Sequence, residues 1–240
     1  MSAMLAIVQH RRVLVMADAA IYDPATGILS ALTHKIVPIP HTNAVFASRG
    51  AAGCFNHFFR ACLDVTASAG FGTFDAFRRA SDEVWAVFEA GLPAGMGGEI
   101  IVAGWSEQYD AGQVLYRSTR QIHEGLPVGN WFLLGDRSAF GVSLDDVPPA
   151  DHFDPMVHGI PAFEASRRLE VDLACGEGEA FMGHAVGGWV SSVIVEPGFV
   201  SAGKIIHRWP DIVGERIDPE RALTSWGPAS CGLACGSAVS

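Results

Sequence analysis

Four short stretches near the start of the chain hold side chains that can do hydrolytic chemistry together. Ser2 follows the initiator methionine and is small enough for methionine aminopeptidase to expose it as the first residue. Its hydroxyl can then attack an amide carbonyl while its own α-amine, with an unperturbed pKa of about 8, takes the proton. Asp18 stands just after an apolar run, and Lys35 opens His34-Lys35-Ile36. Ser48-Arg49-Gly50-Ala51-Ala52-Gly53 leads into a helical pattern. A lysine ammonium near Ser2 depresses the pKa of the amine and steadies the hydroxyl, and an aspartate holds that lysine charged and oriented. The Gly50 N–H, with no side chain in the way, can stabilise an oxyanion, a donor whose loss typically costs about 3–4 kcal/mol in barrier. Each residue also has a plainer role. Asp18 suits a turn or cap, Lys35 a solvated strand edge, and Gly50-x-x-Gly53 either close strand-to-helix packing or an anion-binding turn at a helix N-terminus.

The elements that must position these residues are legible from periodicity. Met4 to Val8 and Val13 to Met16 are apolar runs separated by Gln9-His10-Arg11-Arg12, a hairpin pattern that ends beside Asp18. Tyr22 to Gly27 is turn chemistry. Ile36 to Ile39 and Ala44 to Ala47 form a second apolar pair across Pro40-His41-Thr42-Asn43. Phe55, Phe58, Phe59 and Cys62 then fall on one face of a helix from about Ala51 to Val65. Thr73 caps a second helix that carries Phe74, Phe77, Val84, Val87 and Phe88 and stops at Gly91-Leu92-Pro93. Ile100 to Trp105 pairs with Val114 to Tyr116, and Asn130 to Leu134 adds a short strand. Asp145 to Pro155 reads as a surface loop, Ala162 to Leu169 as a helix, and Glu177 to Gly183 as a further turn. Trp189 to Val195 and Phe199 to Ile206 form a hairpin across Glu196-Pro197-Gly198.

Runs of strands beside runs of helices favour a layered α+β domain over a doubly wound sheet. Hydrophobic residues make up 49% of the 240-residue chain and charged residues 18%, and the mean hydropathy is +0.25. Two stacked sheets between two helical layers account for that, because both faces of each sheet are then buried. The expected organisation is one domain over residues 1–217 with a C-terminal tail over 218–240.

At Ser2, Asp18, Lys35 and Gly50-x-x-Gly53 the sequence resembles the Ntn hydrolase superfamily, in its proteasome β-subunit and bacterial proteasome-like protease branch. That family has an N-terminal Thr opening the first strand, an acidic residue ending the second, a Lys opening the third and a Gly-x-x-Gly turn before the first helix. Gly187-Gly188-Trp189 resembles the Gly-Gly that opens its late strand pair. The resemblance covers roughly residues 2–60 and, more loosely, 187–207. It implies a four-layer αββα sandwich, a catalytic set of Ser2, Asp18, Lys35 and Gly50, a peptide or amide substrate, and a homo-oligomeric ring. The pattern departs in three places. The nucleophile position holds Ser, and Gly183-His184-Ala185-Val186 lacks the Asp and Ser that precede the family's Gly-Gly. The family's Gly-Ser-Gly is matched only by Gly135-Asp136-Arg137-Ser138.

Composition removes other classes. With 16 basic and 26 acidic residues the net charge is −10, so there is no basic field for a nucleic-acid backbone. No apolar stretch approaches the ~20 residues of a membrane helix. The basic pair Arg11-Arg12 follows the first apolar run instead of preceding it, the wrong order for a signal peptide. Cys54, Cys62, Cys175, Cys231 and Cys235 lack framework spacing, which fits a reducing, cytoplasmic setting. The histidines show no metal-ligand spacing, and neither a G-x-S-x-G elbow nor a Walker loop occurs. No metal or cofactor is expected. Cys54, beside Gly53 at a helix start, reads either as a reactive thiol or as a small buried residue. The expected function is therefore a proteasome-like amide-bond hydrolase using Ser2 after Met1 removal. The alternative is an αββα assembly subunit, for instance in a phage-like particle, whose catalytic machinery has decayed.

Overall fold

A computed structural model of the chain describes residues 3–69, 72–174 and 180–221. Met1 and Ser2, Cys175, Glu177, Cys231, Cys235 and most of the expected C-terminal tail lie outside the described residues.

Within them, strands β1 (Met4–Gln9), β2 (Arg12–Asp18), β3 (Ala20–Tyr22), β4 (Leu29–Leu32), β5 (Ile36–Pro38) and β6 (Ala44–Gly50) come first. Helices α1 (Ala52–Ala69) and α2 (Phe74–Gly91) follow, then β7 (Gly98–Ser106), β8 (Ala111–Ser118), β9 (Phe132–Leu133) and β10 (Arg137–Phe140). A short turn at Ala150–His152 and a wide turn at Pro155–Gly159 lead into α3 (Ile160–Arg168). The chain continues through β11 (Glu170–Asp172), β12 (Met182–His184), β13 (Trp189–Glu196), β14 (Phe199–Val200) and β15 (Lys204–Arg208).

The first sheet runs β10-β1-β2-β13, with β14 and β15 pairing β13, and the second runs β5-β6-β7-β8-β9. Every pairing in both is antiparallel. Side chains alternate across a strand, and here both sides are buried. Met4, Ala6, Val13, Val15 and Ala17 meet Val45, Ala47, Ile101, Ala103 and Tyr116 between the sheets. Leu5, Ile7, Leu14 and Met16 pack outward against Phe153, Phe163 and Trp209 of the α3 side. On the far face Phe46, Ile100 and Val102 pack under Phe58, Phe77, Trp85 and Phe88 of α1 and α2. Three apolar interlayer cores make this an αββα sandwich, and they explain strands that read as continuous apolar runs. Phe58 is fully buried and Phe55 and Phe59 are partly so, all three around Phe46.

Local chemistry sets the element ends. Thr73 accepts the Ala76 N–H at 3.2 Å and caps α2 as its sequence predicts. Asp154 accepts the Met156 and Val157 N–H groups and starts the wide turn before α3. Several boundaries differ from expectation. The β3–β4 pair was absent from the periodicity, because its four- and three-residue strands are too short to show a period. The expected strand from Phe199 divides into β14 and β15, and the expected loop near Asp145 contains the turn at Ala150–His152. No helix among the described residues is long and apolar enough to cross a membrane.

Candidate active site

β2 delivers Asp18 to the end of the first sheet, where its side chain is wholly buried. A buried carboxylate needs donors, and four converge on it. Oδ1 accepts the Ala3 N–H at 3.0 Å and the Lys35 ammonium at 2.8 Å. Oδ2 accepts the Ala20 N–H at 3.0 Å and the Gly187 N–H at 3.3 Å. The structure therefore brings Asp18 and Lys35 together, as the sequence predicts, and adds the backbone of Ala3 and Gly187. Ser2 is outside the described residues, and Ala3 is the residue bonded to it.

Lys35 is 6% exposed, not the solvated edge residue its strand-opening position also allowed. Burial pushes its pKa down, the Asp18 charge and hydrogen bond oppose that, and the nearby Arg49 charge adds to the lowering. The net direction is down.

Gly50 ends β6 at φ +110°, and a Cβ there would lie 2.6 Å from the Gly97 carbonyl oxygen. Glycine is thus required by close approach to β7. The ladder also fixes where its N–H faces. Ala51 donates to Gly97 at 3.1 Å in the register that pairs Gly50 with Gly98, so Ala51 and Gly97 are a hydrogen-bonded pair and Gly50 and Gly98 are not. The Gly50 N–H therefore turns from β7 toward the β5 side. There β5 has not yet begun, since Ile36 pairs with Ala47. Continuing that register places Lys35 opposite Ser48, two residues before Gly50. Gly53 lies within α1, against the Met96 sulfur.

Arg49 and Glu99 were not singled out by the sequence reading. Arg49 Nη1 lies 3.2 Å from Glu99 Oε1, and both side chains are buried. Glu99 Oε2 lies 2.7 Å from His123 Nε2 and accepts from the Tyr116 hydroxyl at 3.5 Å. Phe140 stacks on Tyr116 and flanks His123. The signal for Arg49 was present in the period of two: Val45 and Ala47 face the space between sheets, so Arg49 must as well.

Arg49 also lines a cavity of about 220 Å³, together with Val142, Ser166, Leu169 and Val186 among others. Val186 is bonded to Gly187, the Asp18 donor. Ser138 and His184, which fall in the stretches that depart from the family pattern, each contact a backbone carbonyl. Ser138 pairs with Ala6 along β1 and donates to the Gly135 carbonyl at 3.3 Å. His184 Nδ1 sits 3.2 Å from the Leu169 carbonyl oxygen. Burial pushes the Cys54 thiol up to about 11 and the Cys62 thiol to about 12, so the reactive-thiol reading of Cys54 gives way to the buried one. No cluster of metal-ligating side chains occurs among the described residues.

No family model matches the sequence, and no curated protein matches it. Among solved structures, the chain is similar to a Gly-1 mutant of Anbu from Hyphomicrobium sp. strain MC1. The TM-score is 0.58 and the identity 15%, over 86% of this chain and 88% of that chain. At that identity the likeness is one of fold.

Proposed function

We propose that this chain is a proteasome-like N-terminal-nucleophile hydrolase, in which removal of Met1 exposes Ser2 as the nucleophile. The observation that carries the reading is the convergence of the Ala3 N–H and the Lys35 ammonium on one buried oxygen of Asp18. Ser2 is bonded to Ala3, so the proposed nucleophile is the chain neighbour of that donor. Sharing a fold with Anbu supports the same reading.

In the reaction, Ser2 Oγ attacks the amide carbon and its proton passes to the Ser2 α-amine. Lys35, held by Asp18, keeps that amine from being charged. The Gly50 N–H donates to the oxyanion. When the C–N bond breaks, the amine leaves with the proton, and water then hydrolyses the ester on Ser2. The cavity beside Val186 accommodates a substrate side chain. We place the site in one domain over residues 1–217, in a cytoplasmic protein that assembles as a homo-oligomeric ring. The exposed Met156 and Val157 of the wide turn, 53% and 65% accessible, suit a subunit contact.

The test is reaction of Met1-free protein with a hydroxyl-directed acylating probe. A single adduct on Ser2, abolished by Ser2→Ala, supports the proposal, and an inert Met1-free protein overturns it. A second reading, a decayed assembly subunit, is favoured by one observation: Gly183 to Val186 offers no carboxylate or hydroxyl ahead of Gly187. Under that reading Ser2→Ala assembles and functions as the wild type does.

A further inference from the structure

Behind the Asp18–Lys35 centre lies a further buried ion pair that the chemistry above does not use. Arg167, in the last turn of α3, meets Asp211, just beyond β15, through two parallel bonds of 2.7 Å, Nη1 to Oδ2 and Nη2 to Oδ1. The side chains are 1% and 2% exposed, and Trp209 lies over the guanidinium at 5.0 Å. Both partners also grip the turn that carries Gly187. Asp211 Oδ2 accepts the Gly188 N–H at 2.7 Å, and Arg167 Nη1 donates to the Val186 carbonyl at 3.1 Å. Arg167 Nη2 donates in addition to the Asp218 carbonyl at 2.9 Å. Gly187 itself binds the first site at both ends, its N–H to Asp18 Oδ2 and its carbonyl from the Ala19 N–H at 3.1 Å. A Cβ on Gly187 would lie 2.7 Å from Asp211 Oδ2 and 3.2 Å from Arg167 Nη1. The turn is thus pressed between two buried ion pairs.

We propose that Arg167 and Asp211 are positioning residues for the Asp18–Lys35 centre, acting through the turn Val186-Gly187-Gly188. A buried ion pair seldom adds stability over apolar residues of like volume. This one fixes two backbone groups of the turn that supplies Asp18 with a donor, the Val186 carbonyl and the Gly188 N–H, from two segments far apart in sequence. The groups facing Lys35 are Asp18 and, more distantly, Arg49, with Glu99 and His123 behind Arg49. If the clamp is released, the Gly187 N–H leaves Asp18, more carboxylate charge faces Lys35, and water enters. Both changes favour the ammonium.

The experiment reads Lys35 directly and does not need Ser2 to react. The chain has two lysines, Lys35 and Lys204, so selective ¹³C-lysine labelling gives two titrating NMR signals, assigned with Lys35→Met. The variants are Arg167→Lys, which keeps the charge without the fork, Asp211→Asn, and the double change Arg167→Met with Asp211→Leu, which leaves no unpaired charge. The expected result is a rise in the Lys35 midpoint by about one pH unit in the double variant, a smaller rise in Arg167→Lys, and an unmoved Lys204. A lower melting temperature with the Lys35 midpoint unmoved, in any variant that folds, overturns the proposal. Failure of all three to fold likewise overturns it, since the pair would then be a requirement of the fold. An inert Ser2 bears on the hydrolase reading and leaves this one standing.

Discussion

Lys35 Nζ lies 2.8 Å from Asp18 Oδ1, and neither side chain is more than 7% exposed. A buried ammonium beside a buried carboxylate holds only while both remain. Asp18→Asn leaves the Lys35 charge uncompensated and weakens the acceptor for the Ala3 N–H, so it should cost about 3–5 kcal/mol of stability at neutral pH. Urea unfolding measures that loss. The same variant should drive the Lys35 titration further down and abolish acylation at Ser2.

Lys35 itself should titrate below the ordinary lysine value. Burial lowers its pKa from 10.5, so the folded chain holds this proton less tightly than the unfolded chain. Between the lowered midpoint and 10.5, the unfolded chain therefore binds more protons, and the contribution of Lys35 to stability rises with pH. Two-signal lysine NMR and urea titrations across that window check midpoint and sign.

Gly50→Ala should both destabilise and inactivate. Its φ of +110° and the 2.6 Å approach to the Gly97 carbonyl leave no place for a methyl group. Backbone strain of this kind costs about 1–3 kcal/mol. Thermal unfolding reads the loss of stability. Because the Gly50 N–H faces the β5 side, any shift of β6 also displaces the proposed oxyanion donor. The acylation rate should thus fall by more than the folded fraction does.

Much of this was legible in the sequence because the physics was local. The β1–β2 hairpin ending at Asp18 follows from two apolar runs and a polar break, and α2 follows from Thr73 and the spacing of Phe74, Phe77, Val84 and Phe88. What was not legible depends on strands distant in the chain. Arg49 becomes a buried partner of Glu99 only once β6 pairs with β7, and Arg167 becomes a buried partner of Asp211 only once the chain beyond β15 returns to α3. The Gly187 donor could be placed only by the register of β13 against β2, which sets Val190 opposite Asp18. The identity of the nucleophile rests on Ser2, outside the described residues.

The two described thiols should be silent in the native protein. Cys54 and Cys62 are wholly buried, with pKa values pushed up to about 11 and about 12. A thiol probe at pH 7.5 should leave both unmodified until denaturant is added. Rapid labelling of Cys54 in native protein would contradict the packing under α1.

The proposed chemistry requires Ser2 to become the N-terminal nucleophile. Intact mass of protein from a host with normal methionine removal, before and after a hydroxyl-directed acylating probe, tests it most directly. The expected result is loss of one methionine, followed by one probe adduct that maps to Ser2 and disappears in Lys35→Met. Retained Met1, or a Met1-free chain that takes up no probe, would contradict it.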